Sequence, residues 1–154
     1  MSKKAAIFGI PIFLIAIVPL AISIFHDVSS VKESSEFMLG NKLNIDVLNL
    51  INKEREIAKV PTLGLEKRLS LVAVKKLSDQ KTSSRDLMSV VGYKYKIAGD
   101  SIGFLNEDTK PEDVVMAFMQ DAGSRKNILN AEYRDIGIAS TKEMIVIEFG
   151  AEKQ

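Results

Sequence analysis

The sequence predicts an α+β layered domain with a small antiparallel sheet, set behind an apolar N-terminal segment. Three observations carry this reading. Residues 5–25 run for 21 positions without a charge. Two later stretches, "NIDVLNLINKEREIAKV" and "TKPEDVVMAFMQDAG", place apolar residues at helical spacing. The C-terminal "RDIGIASTKEMIVIEFG" alternates with a period of two on either side of a polar turn.

A helix over residues 5–25 would be about 31 Å long, close to the thickness of a bilayer's hydrocarbon core. Lys3 and Lys4 precede it, so the positive-inside rule places the N-terminus in the cytoplasm and the rest outside. Two readings stay open. The length favours an uncleaved signal anchor, whereas Ala21-Ile22-Ser23 offers a small-x-small site for a cleaved signal peptide. The expected organisation is an anchor or signal over residues 1–25, a polar Ser- and charge-rich tether over 26–43, and a folded domain over 44–154. The domain is then membrane-anchored through residues 5–25 and held outside the cytoplasm, or secreted if the segment is cut.

Beyond the first helix the charges balance, with 19 basic residues against 20 acidic once Lys3 and Lys4 are set aside. No basic footprint remains, which argues against nucleic acid as a partner. There is no cysteine, so neither disulfides nor cysteine-linked lipid contribute. Stability must come from packing, which a domain of about 110 residues can supply.

In the first domain helix, Asn44 is the expected N-cap, Ile45, Leu48, Ile51 and Arg55 follow helical spacing, and Pro61 lies beyond the end. "PTLGL" is a connector. Leu65, Leu69, Val72, Ala73, Lys76 and Leu77 then form the apolar stripe of a second helix. A polar loop leads to a short helix over 84–90, stopped by Gly92. Tyr93, Tyr95 and Ile97 alternate with lysines, as in a strand or extended segment. The third main helix is expected to be capped by Thr109 with Glu112 as its capping-box partner, to carry Pro111 in its first turn, and to end at Gly123. In the closing hairpin, Ile136 and Ile138 share one face, as do Ile145, Ile147 and Phe149.

Several of these stretches resemble, in order, the CAP superfamily of cysteine-rich secretory, antigen 5 and pathogenesis-related 1 proteins. Asn52 and Arg55 match its Asn-x-x-Arg, with Pro61 and Leu63 in the turn that follows. "GYKYKIAGDSIGF" is similar to the Gly-Tyr…Gly-Glu-Asn-Ile segment of bacterial members. "VVMAFMQDAGSRKNILNAEYRDIGIA" is similar to their Trp-x-x-Ser-Pro-Gly-His-Arg-x-Asn-Ile-Leu…Ile-Gly box. The likeness covers roughly Ile45 to Gly150 and implies an α–β–α sandwich with a three- or four-stranded antiparallel sheet. With no disulfides, it points to a bacterial-like member.

The resemblance also implies a site of two histidines and two acidic residues, able in some members to hold a divalent metal. Here Ser124 stands at the box histidine, Asp100 at the Glu of Gly-Glu-Asn-Ile, Phe118 at the box Trp, and Asp121 at an acidic position of some relatives. The loop "SDQKTSSRD" has no histidine, and the only histidine in the chain is His26. Zinc wants three or four His, Cys or carboxylate ligands, so no metal and no cofactor is expected. Ser124 has no histidine base, and a helix would turn Lys126 away from it, so a capping role is expected in place of nucleophilic catalysis. Asp100 with Asp121 could serve as a hydrolytic carboxylate pair, but nothing else in the sequence supports one.

The expected function is a non-catalytic, envelope-facing binding or scaffold domain without the family's His ligands. Its cleft would be lined by Asp100, Asp121, Ser124 and Arg125, for an unknown envelope ligand or protein. Two alternatives remain, a hydrolase of envelope polymers or peptides and a lipid carrier using Met116 and Met119. Asn52 and Arg55 are expected to specify the fold.

Overall fold

The computed structural model describes residues 41–153, so the anchor or signal over 1–25 and nearly all of the tether lie outside the described residues. Among the described residues no helix is long and apolar enough to cross a membrane. Helix α1 is Lys42–Ile57, capped by Asn41, whose side chain accepts from Leu43 N at 3.0 Å. Asn44, expected as the cap, is instead buried inside α1 and accepts from the Ser140 hydroxyl at 2.8 Å. The helix therefore starts inside the stretch assigned to the tether. Val47, Ile51 and Arg55 continue its buried stripe.

The next two elements revise the sequence reading. Gly64–Leu65 form β1, a two-residue strand, so Leu65 does not belong to the second helix. Helix α2, Lys67–Ser78, buries Leu69, Val72, Ala73 and Lys76. Helix α3 is Ser84–Val90, with Ser83 accepting from Asp86 N at 3.2 Å and Gly92 leaving it at a φ of 74°. That left-handed turn suits glycine. Strand β2, Tyr95–Phe104, runs well past the alternating tyrosines and includes Asp100.

Helix α4 is Pro111–Gln120, with Pro111 at its first position. Its start is secured by Asp113, which accepts from Lys110 N at 3.1 Å, while Thr109 bonds back to Asn106 and caps no helix. The helix ends before Gly123, because Asp121 breaks it and starts α5, Ala122–Ile128. Strands β3, Asp135–Ser140, and β4, Met144–Glu152, make the expected hairpin.

The sheet has four strands in the order β1-β3-β4-β2. It is mixed and not wholly antiparallel, because β1 pairs parallel with β3. A two-residue parallel edge has no periodicity for a sequence to show. Helices cover both faces. On one, Ile136, Ile138, Ile145, Ile147 and Phe149 pack with Val47 and Ile51 of α1, Val114, Val115 and Phe118 of α4, and Ile128 of α5. On the other, Ala139 and Val146 meet Ala73 of α2. Gly137 lets α2 approach closely, since a Cβ there would lie 2.1 Å from the backbone of Leu69. Arg68 ties this side together by pairing with Glu66 and Glu152 and lying over the Tyr93 ring.

Candidate functional site

Strand alternation places Glu148 on the α2 and α3 side of β4, together with Val146. Its register neighbours are Gly137 on β3 and Asp100 on β2. The carboxyl is fully buried. The Ser84 hydroxyl of α3 donates to Oε1 at 2.8 Å, and Oε2 has no hydrogen-bond partner. Burial pushes the Glu148 carboxyl up to about 8 and the nearby Asp100 charge adds to this, while the Ser84 bond and Lys76 pull the other way. Glu148 is thus a neutral acid at pH 7.

A hollow of about 280 Å³ opens beside this pair, lined by Lys76, Ser83, Ser84, Arg85, Ala98, Gly99 and Asp100. Lys76 is buried, and its Nζ donates to the carbonyls of Gln80 and Thr82 at 3.0 Å each, which fixes the loop entering α3. Arg85 and Asp100 are exposed at the rim. On the far side of β2, Asn127 of α5 donates to the Asp100 carbonyl at 2.8 Å. Gly99 permits that approach, because a Cβ there would sit 2.8 Å from Asn127 Oδ1 and 2.4 Å from the Tyr133 hydroxyl.

The four residues singled out from sequence fall into separate settings. Asp100 lines the hollow beside Glu148. Asp121 is the N-cap of α5 and accepts from Ser124 N at 2.8 Å, so Ser124 is the third helical residue and not the cap. The helix begins three residues earlier than "RKNIL" suggests because the Asp121 carboxylate reaches the free amides first. Arg125 is exposed and borders another hollow with Met119, Gln120, Ala122, Lys126 and Leu129.

Bonds from the Ser124 amide and hydroxyl hold the Asp121 carboxyl below the usual carboxylate range. Its capping contribution is therefore present above the ordinary carboxylate pKa and fades as pH falls through the depressed one. Asp121→Ala should lower the thermal midpoint at neutral pH by about 5 °C, with Asp121→Asn keeping most of it. A scan of both variants by circular dichroism checks this, and an unshifted alanine variant would remove the capping role.

Glu148, Ser84 and Lys76 were not singled out as site residues from sequence. The available signal was one carboxylate in "MIVIEFG", on the strand face opposite Ile145, Ile147 and Phe149. Burial could not be read from it, because only the packed position of α3 creates it.

The chemistry open to this arrangement is limited. Ser84 donates to a neutral acid, so no base activates it. Among the described residues no three His, Cys, Asp or Glu side chains gather to hold a metal, and His26 lies outside them. The donors among the described residues do not make up the site of two histidines and two acidic residues that the resemblance implies. The raised Glu148 carboxyl has the character of a general acid, yet it is wholly buried and borders no open space.

Residues 48–143, more than half of the chain, match the model of the cysteine-rich secretory protein family, CAP. The Bacillus subtilis protein YkwD is 35% identical over 104 residues, which cover 60% of this chain and 40% of YkwD. A cysteine-rich secretory protein from Staphylococcus aureus superposes with a TM-score of 0.64 at 18% identity, covering 72% of this chain and 38% of that one. An extracellular SCP-domain protein from Bacillus anthracis does so with a TM-score of 0.63 at 17% identity, covering 72% and 40%. The chain thus spans well under half the length of each of these relatives.

Proposed function

We propose, from the premise that the chain belongs to the cysteine-rich secretory protein (CAP) family, that its domain works outside the cytoplasm as a non-catalytic binding or scaffold module without the family's His-based site. The donor set carries this reading. Ser124 stands where the family box has histidine and is absorbed into the α5 turn with Asp121. The carboxyl paired with Asp100 in the strand register is Glu148, a neutral acid and a poor metal ligand at pH 7. The relatives' descriptions as secretory and extracellular proteins support the location. Anchoring through residues 5–25 is part of the same proposal and rests on the length and charge of that segment.

Titration of the full chain in detergent with zinc, calcium and magnesium, read by calorimetry and thermal shift, tests it. No saturable heat and no shift are expected. A micromolar signal lost in Asp100→Asn would replace this reading with the hydrolase.

A lipid carrier is the second reading, favoured by one observation. Leu50, Val115, Met116 and Met119 line a hollow of about 340 Å³ between α1 and α4, and Met116 is 56% exposed. A fatty acid added to the same titration would reveal it.

A further inference from the structure

The hollow beside Glu148 has walls of opposite charge. Lys76 on α2 and Arg85 on α3 form the helical wall, and Asp100 on β2 forms the strand wall. Among the described residues, no ion pair joins either cation to Asp100. The three charged residues line the same space of about 280 Å³. Lys76 keeps one N–H beyond its two carbonyl bonds. Beneath the wall, the buried Oε2 of Glu148 lacks a partner, and such an atom in a folded protein asks for an explanation.

We infer that this hollow binds a small zwitterion, an α-amino acid or the end of a short peptide, with its carboxylate on Lys76 and Arg85 and its ammonium on Asp100. A simple anion would face Asp100 as a like charge, and a simple cation would face two, so only a ligand carrying both signs meets every wall. The space suits an amino acid or dipeptide and is far too small for a folded partner. As a neutral acid, Glu148 leaves the two cations free to act on the ligand. The inference rests on the binding-module reading and names the ligand class for it.

Calorimetry on the full chain in detergent tests it with L-alanyl-L-alanine, its N-acetylated form and its C-amidated form. Saturable binding of the free dipeptide is expected, with each capped form weaker by roughly tenfold or more for the lost charged partner. Asp100→Asn should erase the difference between the free and acetylated forms. Arg85→Gln should shrink the difference between the free and amidated forms. Both residues are exposed, and a thermal scan checks that each variant folds. If either does not, the capped ligands decide the matter on the unmodified chain.

Absence of saturable heat at millimolar dipeptide, or binding indifferent to both caps, overturns the zwitterion site. So does binding left unchanged by both folded variants. Zinc added to the same sample separates the two proposals. Zinc binding would sink the reading without a metal, whereas silence from both titrants sinks only the zwitterion.

Discussion

Arg55→Ala is expected to destabilise the domain by about 4 kcal/mol, a large part of the stability an ordinary domain has. Arg55 is fully buried near the end of α1. Its Nε donates to the Pro61 carbonyl at 2.7 Å, and its terminal nitrogens donate to the carbonyls of Ile128, Asn130 and Tyr133. These bonds tie α1, the Pro61 turn and the chain leaving α5 into one unit. Burial lowers the guanidinium's pKa, and Arg134 adds to the effect. Arginine nevertheless remains charged, because its intrinsic pKa is so high. The carbonyls at the C-terminal end of α5 are suited to accept that charge.

Alanine would leave these carbonyls without their donor and open a cavity besides. Lysine keeps the charge but not the fork, so Arg55→Lys should recover only a minority of the loss. Arg55→Met fills volume without donating, and should resemble alanine more than wild type. Urea unfolding followed by circular dichroism reads all three as shifts of the midpoint at constant slope. A methionine variant as stable as wild type would show that packing, not the carbonyl network, sets the effect.

Asn52 and Arg55 were legible as fold-specifying residues because two polar side chains at i and i+3 interrupt a helix that is otherwise amphipathic. Asn52 bonds both backbone groups of Leu63, accepting at 2.8 Å and donating at 3.1 Å. The hairpin was legible for a similar reason, since alternation of Ile136, Ile138, Ile145, Ile147 and Phe149 assigns a face directly. Helix starts were harder. Asn41 and Asn44 are both cap-type residues three apart, and the choice depends on where Ser140 lies in space. Asp121 outcompeted Gly123 as the boundary between α4 and α5 because it can serve both helix ends, accepting from Ser124 N while its own amide bonds Ala117.

The site was less legible than the fold. Asp100 could be placed by motif, but its partner Glu148 lies 48 residues away and meets it only through the pairing of β2 with β4.

The stability of the domain should fall as pH rises from about 4.5 to about 8, and Glu148→Gln should abolish that slope. In the unfolded chain Glu148 loses its proton near the ordinary value of 4.5, whereas in the fold it keeps it up to about 8. Between those limits the folded state holds a proton that the unfolded state has released. Stability from this group is therefore greatest below the lower limit, declines through the window, and levels off above the upper one. At about 1.4 kcal/mol per pH unit, the full fall is roughly 5 kcal/mol and the part reached by pH 7 roughly 3.

The other shifted carboxyls act elsewhere on the pH scale. Glu66, Asp79, Asp121 and Glu152 are all held below their ordinary values, so their contributions are lost only in more acidic solution. Glutamine can accept the Ser84 hydroxyl through its amide oxygen and puts its NH₂ where Oε2 already lacks a partner, adding one N–H donor to the unmet O–H of the protonated acid. The variant should then gain up to about 3 kcal/mol at pH 7, less the cost of that donor, and be no more stable than wild type near pH 4.5. Urea midpoints at several pH values between 4.5 and 8 would show both effects. A wild-type midpoint that stays level across that window would mean that Glu148 is ionised in the fold, with water or a cation reaching Oε2. A sloping wild type made level by glutamine would show that the fold buries Glu148 with its proton, at a cost to stability that grows as pH rises towards 8.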